Sequence, residues 1–514
     1  LPGPPNMLRL CFLMLMLLWP TAWADDEPDP RHVAAQSMPL HPVLGELLDH
    51  PLFTSSDVAL QVVDLQTGDE VYAWDADAPL VPASTMKVVT SAAALRTLGP
   101  TWRFHTALLR DGEVNDEGVL EGNLYVRGTG DPTLVVEKLW KLLVDLEVEG
   151  VVEVNGDVIL DDTYFSDGPM IPGWRKKVDI ANGPAYFAPV GALSLNHNAL
   201  SIVIAPAVEV GQPPRLQLET PSTLVRFENR LVTVAESKRG WVRIERDADL
   251  EAGTTVFTVE GEVPHGSPVQ RHYRAVAEPR SWFASVLGDL LEQRGLTLSG
   301  SIRAGSTPSE ADEIVRLWSP PLHEILNHTN KYSSNFMAEH VLKAMGAEVH
   351  GVPGTAEKGL EAIRSYFDQL GIPRDEYTVV NGSGLSRDAQ LRPSHLNAVL
   401  LDMHHEPLLA PEFRTMLSVG GRDGTLRRRF DEEDEVGRVR GKTGSLNGVY
   451  CLAAYVQSRS GDTYAVSVLV NNFRRTRPVR VLHDRIGEAL LSLEGVPVPV
   501  AAGGSAGAPP PSNP

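Results

Sequence analysis

The sequence predicts an α+β fold built around an antiparallel sheet, with a large β-rich insert dividing the sheet-forming parts. Three observations carry this. Strand-like hairpins stand near both ends, at residues 58–74 and 449–470. A mainly helical stretch with apolar residues at helix spacing runs from about residue 317 to 404. Between the first hairpin and that stretch, short β-type runs alternate with Gly, Pro and Asn turns. Strand and helix segments grouped in this way belong to α+β architectures.

Residues 58–65 and 70–74 are two short strand-like runs, and Gln66-Thr67-Gly68-Asp69 supplies the turn between them. Residues 85–98 are rich in alanine and end at Gly99-Pro100, which predicts one helix with a sharp stop. The runs 118–128, 151–160, 199–205 and 254–263 read as strands, with helices over 134–147 and 280–294, the latter ending at Gly295. Helices are predicted over 322–327, 334–345, 357–370 and 393–404. A hairpin, 449–457 and 463–470, and a proline-started helix, 478–493, close the pattern. Residues 496–514 are a Pro/Gly/Ala/Ser tail with no core-forming pattern, expected to be disordered.

At 514 residues the chain can bury a sizeable core, and its composition, 42% hydrophobic and 22% charged, is that of globular domains. A net charge of −20 argues against a nucleic-acid binder, which would need a basic face. Met7-Leu8-Arg9, an apolar run over 10–19 and Thr21-Ala22-Trp23-Ala24 have the form of a secretory signal peptide cut after Ala24. The six residues before Met7 are read as lying upstream of the translation start. No other apolar stretch approaches the ~20 residues of a membrane span. Once Cys11 leaves with the signal, Cys451 stands alone in an apolar strand and reads as a buried structural thiol. An exported chain without disulfides fits a bacterial periplasm. The expected organisation is a signal peptide (1–24), the first part of the sheet domain (25–105), the β-rich insert (106–302), the second part of the sheet domain (303–495) and the tail (496–514).

Three short motifs carry chemistry. Ser84 and Lys87, three apart at a helix start, share one face, so a lysine kept neutral by burial can take the serine proton. Ser333 and Asn335 form a Ser-x-Asn pair at another helix start: a second hydroxyl and an amide, or simply helix caps. Lys442-Thr443-Gly444-Ser445 leads into the terminal hairpin, offering a cation and a hydroxyl to a carboxylate, with Gly444 allowing close backbone approach. Each motif alone has an ordinary structural explanation.

Taken in order, Ser-x-x-Lys, Ser-x-Asn and Lys-Thr-Gly resemble the penicillin-recognising serine enzymes, whose fold is an antiparallel sheet with helices on both faces. The long separation of Ser84 from Ser333 resembles one branch, the D-Ala-D-Ala carboxypeptidase/endopeptidase family of low-molecular-mass penicillin-binding proteins (penicillin-binding protein 4 type). Segments 122–134, 160–165, 188–196, 381–387 and 423–426 also fit that family, and the resemblance spans about residues 58–493. It implies that Ser84 is acylated, Lys87 activates it, Ser333 relays a proton to the leaving amine and Lys442 adjusts the local field. Asn335 would hold the substrate amide, Thr443 the terminal carboxylate, and the N–H groups of Ser84 and Ser445 the oxyanion. It further implies that Asp162 and Arg387 bind the diamino-acid side chain of a peptidoglycan stem peptide, with Asp161 an equal neighbour and a structural Asp–Arg pair the plain alternative. β-Lactams would be inhibitors, and neither cofactor nor metal is implied.

Two rivals follow from the same residues. A β-lactamase is disfavoured by the insert and by the lack of a Glu-x-x-Leu-Asn segment after Ser333. A catalytically silent peptidoglycan-binding protein would tolerate broken motifs, yet all three are intact. His323 and His328 are five apart rather than four and do not make a zinc-protease pair, and Gly382-x-Gly384 lacks the third glycine of a dinucleotide loop.

Overall fold

The computed structural model describes Gly45 and residues 56–168, 170–174, 183–249 and 254–493. The expected signal peptide and tail lie outside the described residues.

Val449–Gln457 and Thr463–Asn471 are apolar at nearly every position, the pattern of strands covered on both faces. They sit at the centre of a six-stranded sheet, in the order Ser418–Val419, Val439–Leu446, Val449–Gln457, Thr463–Asn471, Asp57–Asp64 and Glu70–Trp74. Every neighbouring pair is antiparallel. Successive residues divide between two cores. Cys451, Ala453, Tyr455, Ala465 and Leu469 face a helical layer drawn from Met86–Leu98, Leu322–Lys331, Asn335–His350, Ala356–Gln369, Pro393–His405 and Ala410–Met416. Leu452, Ala454, Val456, Val466, Val468 and Val470 face the terminal helix Thr476–Leu491. Each buried Val or Leu contributes roughly 1.5–3 kcal/mol, so this two-sided core outweighs any single hydrogen bond in holding the sheet. Cys451 is buried, and burial pushes its thiol up to about 12, which makes it unreactive.

The β-rich region leaves and returns through one strand pair, since His105–Arg110 lies antiparallel to Asp312–Trp318. Asp312–Trp318 is the edge of a five-stranded sheet that continues through His105–Arg110, Leu124–Gly128 and Val158–Asp161 to Ile302–Ala304. Leu139 and Leu143 of the helix Val136–Val148 and Phe283 and Leu287 of the helix Pro279–Arg294 fill the core beneath it. The runs expected as single strands at 118–128 and 151–160 are each two strands in different sheets. Val119–Glu121 breaks from Leu124–Gly128 at Gly122-Asn123, and Glu153–Val154 from Val158–Asp161 at Asn155-Gly156. Both breaks fall on turn-forming dipeptides inside an apolar run, where periodicity gives no warning.

The insert grips one helix of the sheet domain. Phe165, Trp174 and Val190 pack on Phe336 and Met337 of Asn335–His350. Farther along that helix the fully buried Lys343 places Nζ 2.5 Å from Asp167 and donates to the Gly168 carbonyl at 2.8 Å. Asp167 also accepts the Ala356 N–H at 2.6 Å.

Candidate active site

Ser84 sits in a 3₁₀ turn, Ala83–Thr85, that runs straight into the helix Met86–Leu98. Ala83 takes a left-handed backbone (φ +46°), rare for a residue with a Cβ, and this presents Ser84 at the turn's surface. Lys87, one turn on, has no exposed surface, and its Nζ has three partners. The Asn335 Oδ1 and the Ser383 carbonyl each lie 2.7 Å away, and Ser84 Oγ lies 3.1 Å away.

Ser333 and Asn335 stand at the junction of the helices Leu322–Lys331 and Asn335–His350. The residue that caps the second helix is Ser334, whose Oγ accepts the Met337 N–H at 3.2 Å. Ser333 is therefore free of capping duty. It adopts a left-handed conformation (φ +57°), and its Oγ lies 2.9 Å from Lys442 Nζ. Asn335 donates from Nδ2 to the Tyr186 carbonyl of the insert at 3.1 Å, which fixes its amide so that Oδ1 faces Lys87.

Lys442 is buried on the strand Val439–Leu446 and also donates to the Thr443 carbonyl at 2.7 Å. Thr443 is half-buried and Ser445 exposed. Between them, Gly444 lies against the Ser84 turn. A Cβ there would come 2.7 Å from the Pro82 carbonyl oxygen and 3.0 Å from the Ser84 nitrogen, so only glycine lets strand and turn meet. The outer neighbour, Ser418–Val419, pairs only with Arg440 and Gly441. Among the described residues the outer edge of Lys442–Leu446 carries no further strand.

Burial lowers the Lys87 pKa well below its usual 10.5, the nearby Lys442 charge lowers it further, and Glu339 opposes both. Burial alone brings Lys442 down to about 7. Glu339, also fully buried, has its pKa raised by desolvation. Its two oxygens accept the Ser383 N–H at 2.8 Å and the Gly382 N–H at 3.1 Å.

Ser84, Lys87, Ser333, Asn335, Lys442 and Gly444 thus come together from three distant stretches of chain. Asp162 and Arg387 lie apart from this hydrogen-bonded cluster. Asp162 forms a two-pronged ion pair with Arg280 at 2.9 Å, and Arg387 donates to the Asn447 carbonyl just past the Lys442 strand. Asp161 is buried and holds Thr163 and the Thr307 N–H. Sequence reasoning did not single out Glu339, Ser383 or Tyr186. Ser383 stands within the family-like segment 381–387, whereas Glu339, four residues after Asn335 on one helix face, and Tyr186 carry no motif of their own.

The fold and this serine–lysine arrangement define a serine-type peptidase. The chain belongs to the D-Ala-D-Ala carboxypeptidase 3 (S13) family, whose profile matches residues 40–486. It is 30% identical over 473 residues to a D-alanyl-D-alanine carboxypeptidase of Actinomadura sp., covering 89% of this chain and 86% of that one. It is 27% identical over 404 residues to the D-alanyl-D-alanine carboxypeptidase DacB of Haemophilus influenzae, covering 77% and 81%. Among solved structures it is similar to penicillin binding protein 4 (dacB) from Haemophilus influenzae, with a TM-score of 0.76 and 23% identity over 87% of this chain and 99% of that one. A second structure of that protein, complexed with a β-lactam, superposes with a TM-score of 0.71 at 21% identity, over 88% and 99% of the two chains.

Proposed function

We propose that this chain is a D-Ala-D-Ala carboxypeptidase that works through an acyl-enzyme on Ser84 and also cuts D-Ala–diamino-acid cross-links of peptidoglycan. The observation that carries this reading is the buried Lys87 Nζ beside Ser84 Oγ at 3.1 Å. A neutral amine has two N–H donors and one lone pair. Asn335 Oδ1 and the Ser383 carbonyl can only accept, so they take the two donors and leave the lone pair for the Ser84 hydroxyl.

Lys87 takes the Ser84 proton as Oγ attacks the carbonyl carbon of the penultimate D-Ala. The developing oxyanion is held by the N–H groups of Ser84 and Ser445, brought together by the close approach at Gly444. The C–N bond breaks, and the leaving amine receives the Ser84 proton back from Lys87 by way of Ser333, which Lys442 holds in place, so that Lys87 is neutral again. Water, losing a proton to Lys87, then hydrolyses the ester. The open outer edge of Lys442–Leu446 suits an extended peptide added as a further strand, its carboxylate toward Thr443 and its amide toward Asn335. Such a groove admits a cross-linked stem as readily as a free one. Arg387 and, on release of Arg280, Asp162 are the groups offered to the diamino-acid side chain. β-Lactams would acylate Ser84 and leave slowly. The protein would act in the periplasm after removal of residues 1–24.

Mass spectrometry after incubation with benzylpenicillin, beside a Ser84→Ala variant, tests the reading. One stable adduct on the wild type, mapped to Ser84 and missing from the variant, is expected. No adduct on either protein would favour a silent peptidoglycan-binding role, and rapid release would indicate a β-lactamase. Digestion of purified cross-linked muropeptide dimers, with monomers read by chromatography, tests the endopeptidase activity separately.

A further inference from the structure

Glu339 has a side chain that the steps above do not use. It lies on Asn335–His350 one turn beyond Asn335, has no exposed surface, and spends both oxygens on the backbone N–H groups of Gly382 and Ser383. Two N–H donors on two different oxygens are what an ionised carboxylate accepts. The peptide it holds is also tied from the other side, where the Thr90 hydroxyl donates to the Gly382 carbonyl at 2.7 Å. The far end of that peptide is the Ser383 carbonyl, an acceptor for Lys87.

We propose that Glu339 is a positioning residue for the Ser84–Lys87 pair: it fixes the Gly382-Ser383 peptide so that the Ser383 carbonyl aims the Lys87 amine, and it sets a buried negative charge against two buried lysines. The inference rests on the acyl-enzyme reading of Ser84.

Two consequences separate it from a purely structural role. Asn335 and Ser383 occupy the two N–H positions of a neutral Lys87; if the Ser383 carbonyl moves, the lone pair no longer points at Ser84, and a misplacement on the order of 1 Å costs roughly 10²-fold in rate. The charged groups facing Lys87 are Lys442 from the strand Val439–Leu446 and Glu339 from the helix. With Lys442 lowering and Glu339 raising the Lys87 pKa, loss of the carboxylate charge makes Lys87 release its proton at lower pH.

The test is the second-order rate of labelling by a fluorescent penicillin between pH 5 and 10 on the full-length wild type, Glu339→Gln, Glu339→Asp and Ser84→Ala, with thermal melts of each. Glutamine can satisfy only one of the two N–H groups and carries no charge. Its plateau rate is expected to fall about 10²-fold, and its acid limb to move about one pH unit lower. Glu339→Asp keeps the charge, so its acid limb stays at the wild-type position. Equal rates and limbs in Glu339→Gln and wild type would overturn the proposal. So would a limb that moves alike in both Glu339 variants, or failure of both to fold, which would assign Glu339 to stability alone. Failure of the underlying reading looks different: the wild type would not be labelled, or Ser84→Ala would be.

Discussion

Lys442 Nζ lies 2.9 Å from Ser333 Oγ, although 109 residues separate them in the chain, and burial holds that amine near a pKa of about 7. The depressed value has a thermodynamic consequence. Between about 7 and the usual 10.5 the unfolded chain keeps a proton on Lys442 that the folded protein has lost. Stability therefore rises with pH through that window, and this contribution is flat below it. In Lys442→Met the pH slope of the unfolding free energy above pH 7 should be smaller than in wild type, as urea titrations across that range would show; equal slopes would refute it.

Asn335→Asp would set a carboxylate against Lys87 where an amide oxygen now sits at 2.7 Å. An opposite charge at that distance raises the lysine pKa, so the acid limb of penicillin labelling should move up by about one pH unit or more. At neutral pH the labelling rate should drop about tenfold. A limb that stays in place would show that Lys87 does not titrate in acylation.

Gly444→Ala should lower labelling about 10²-fold and also lower stability by about 1–3 kcal/mol, because the methyl meets backbone atoms that must shift. The added methyl meets the Pro82 carbonyl and the Ser84 nitrogen, parting strand from turn where the two proposed oxyanion donors converge. Unchanged labelling would place those donors elsewhere.

The Lys343–Asp167 pair fastens the insert to the helix that carries Asn335. Asp167→Ala leaves a lysine amine buried with only the Gly168 carbonyl and the Phe165 ring. Because Asp167 is partly exposed, a loss of about 2–3 kcal/mol is expected, somewhat under the full range for a broken buried pair. Adding Lys343→Met should restore much of it, a comparison that denaturant melts of the single and double variants would make.

The Asp162–Arg280 pair is largely exposed, so Asp162→Asn should change stability by no more than about 1 kcal/mol. If Asp162 meets the substrate, KM should rise for stem peptides with a free side-chain amine and stay put when that amine is acetylated. Equal KM changes for both would leave Asp162 as half of a surface ion pair.

The regular elements are the legible part of this chain. The helix Met86–Leu98 follows from its alanines and the Gly99-Pro100 stop, and the central strands from their largely apolar runs. The split of 118–128 is not legible in the periodicity, which continues across Gly122-Asn123, and only the turn chemistry of that dipeptide marks it. Spacing indicates that Ser84 and Lys87 share a helix face. It is silent on Asn335, 248 residues from Lys87, whose relation to them comes from motif order alone. Glu339 illustrates a further limit: a glutamate among helix-forming residues reads as solvated until the backbone N–H groups of Gly382 and Ser383 are seen waiting for it. Asp162 and Asp161 are indistinguishable in sequence, yet one faces Arg280 and the other closes a buried turn.

The strand Asp57–Asp64 lies between Glu70–Trp74 and Thr463–Asn471, and the Asn471 side chain accepts the Val81 N–H across 390 residues. The order of synthesis then becomes an order of assembly. The early hairpin emerges with one edge bare and waits for its partner until almost the whole protein has been made, while the insert, contiguous in the chain, already has a core of its own. Closing so long a loop is costly in entropy, which makes completion of the central sheet the late event. We expect a chain stopped before residue 463 to protect the insert from protease and leave residues 57–98 open to it. The serine would gain its setting only when the last hairpin arrives, so the enzyme has no half-made active form.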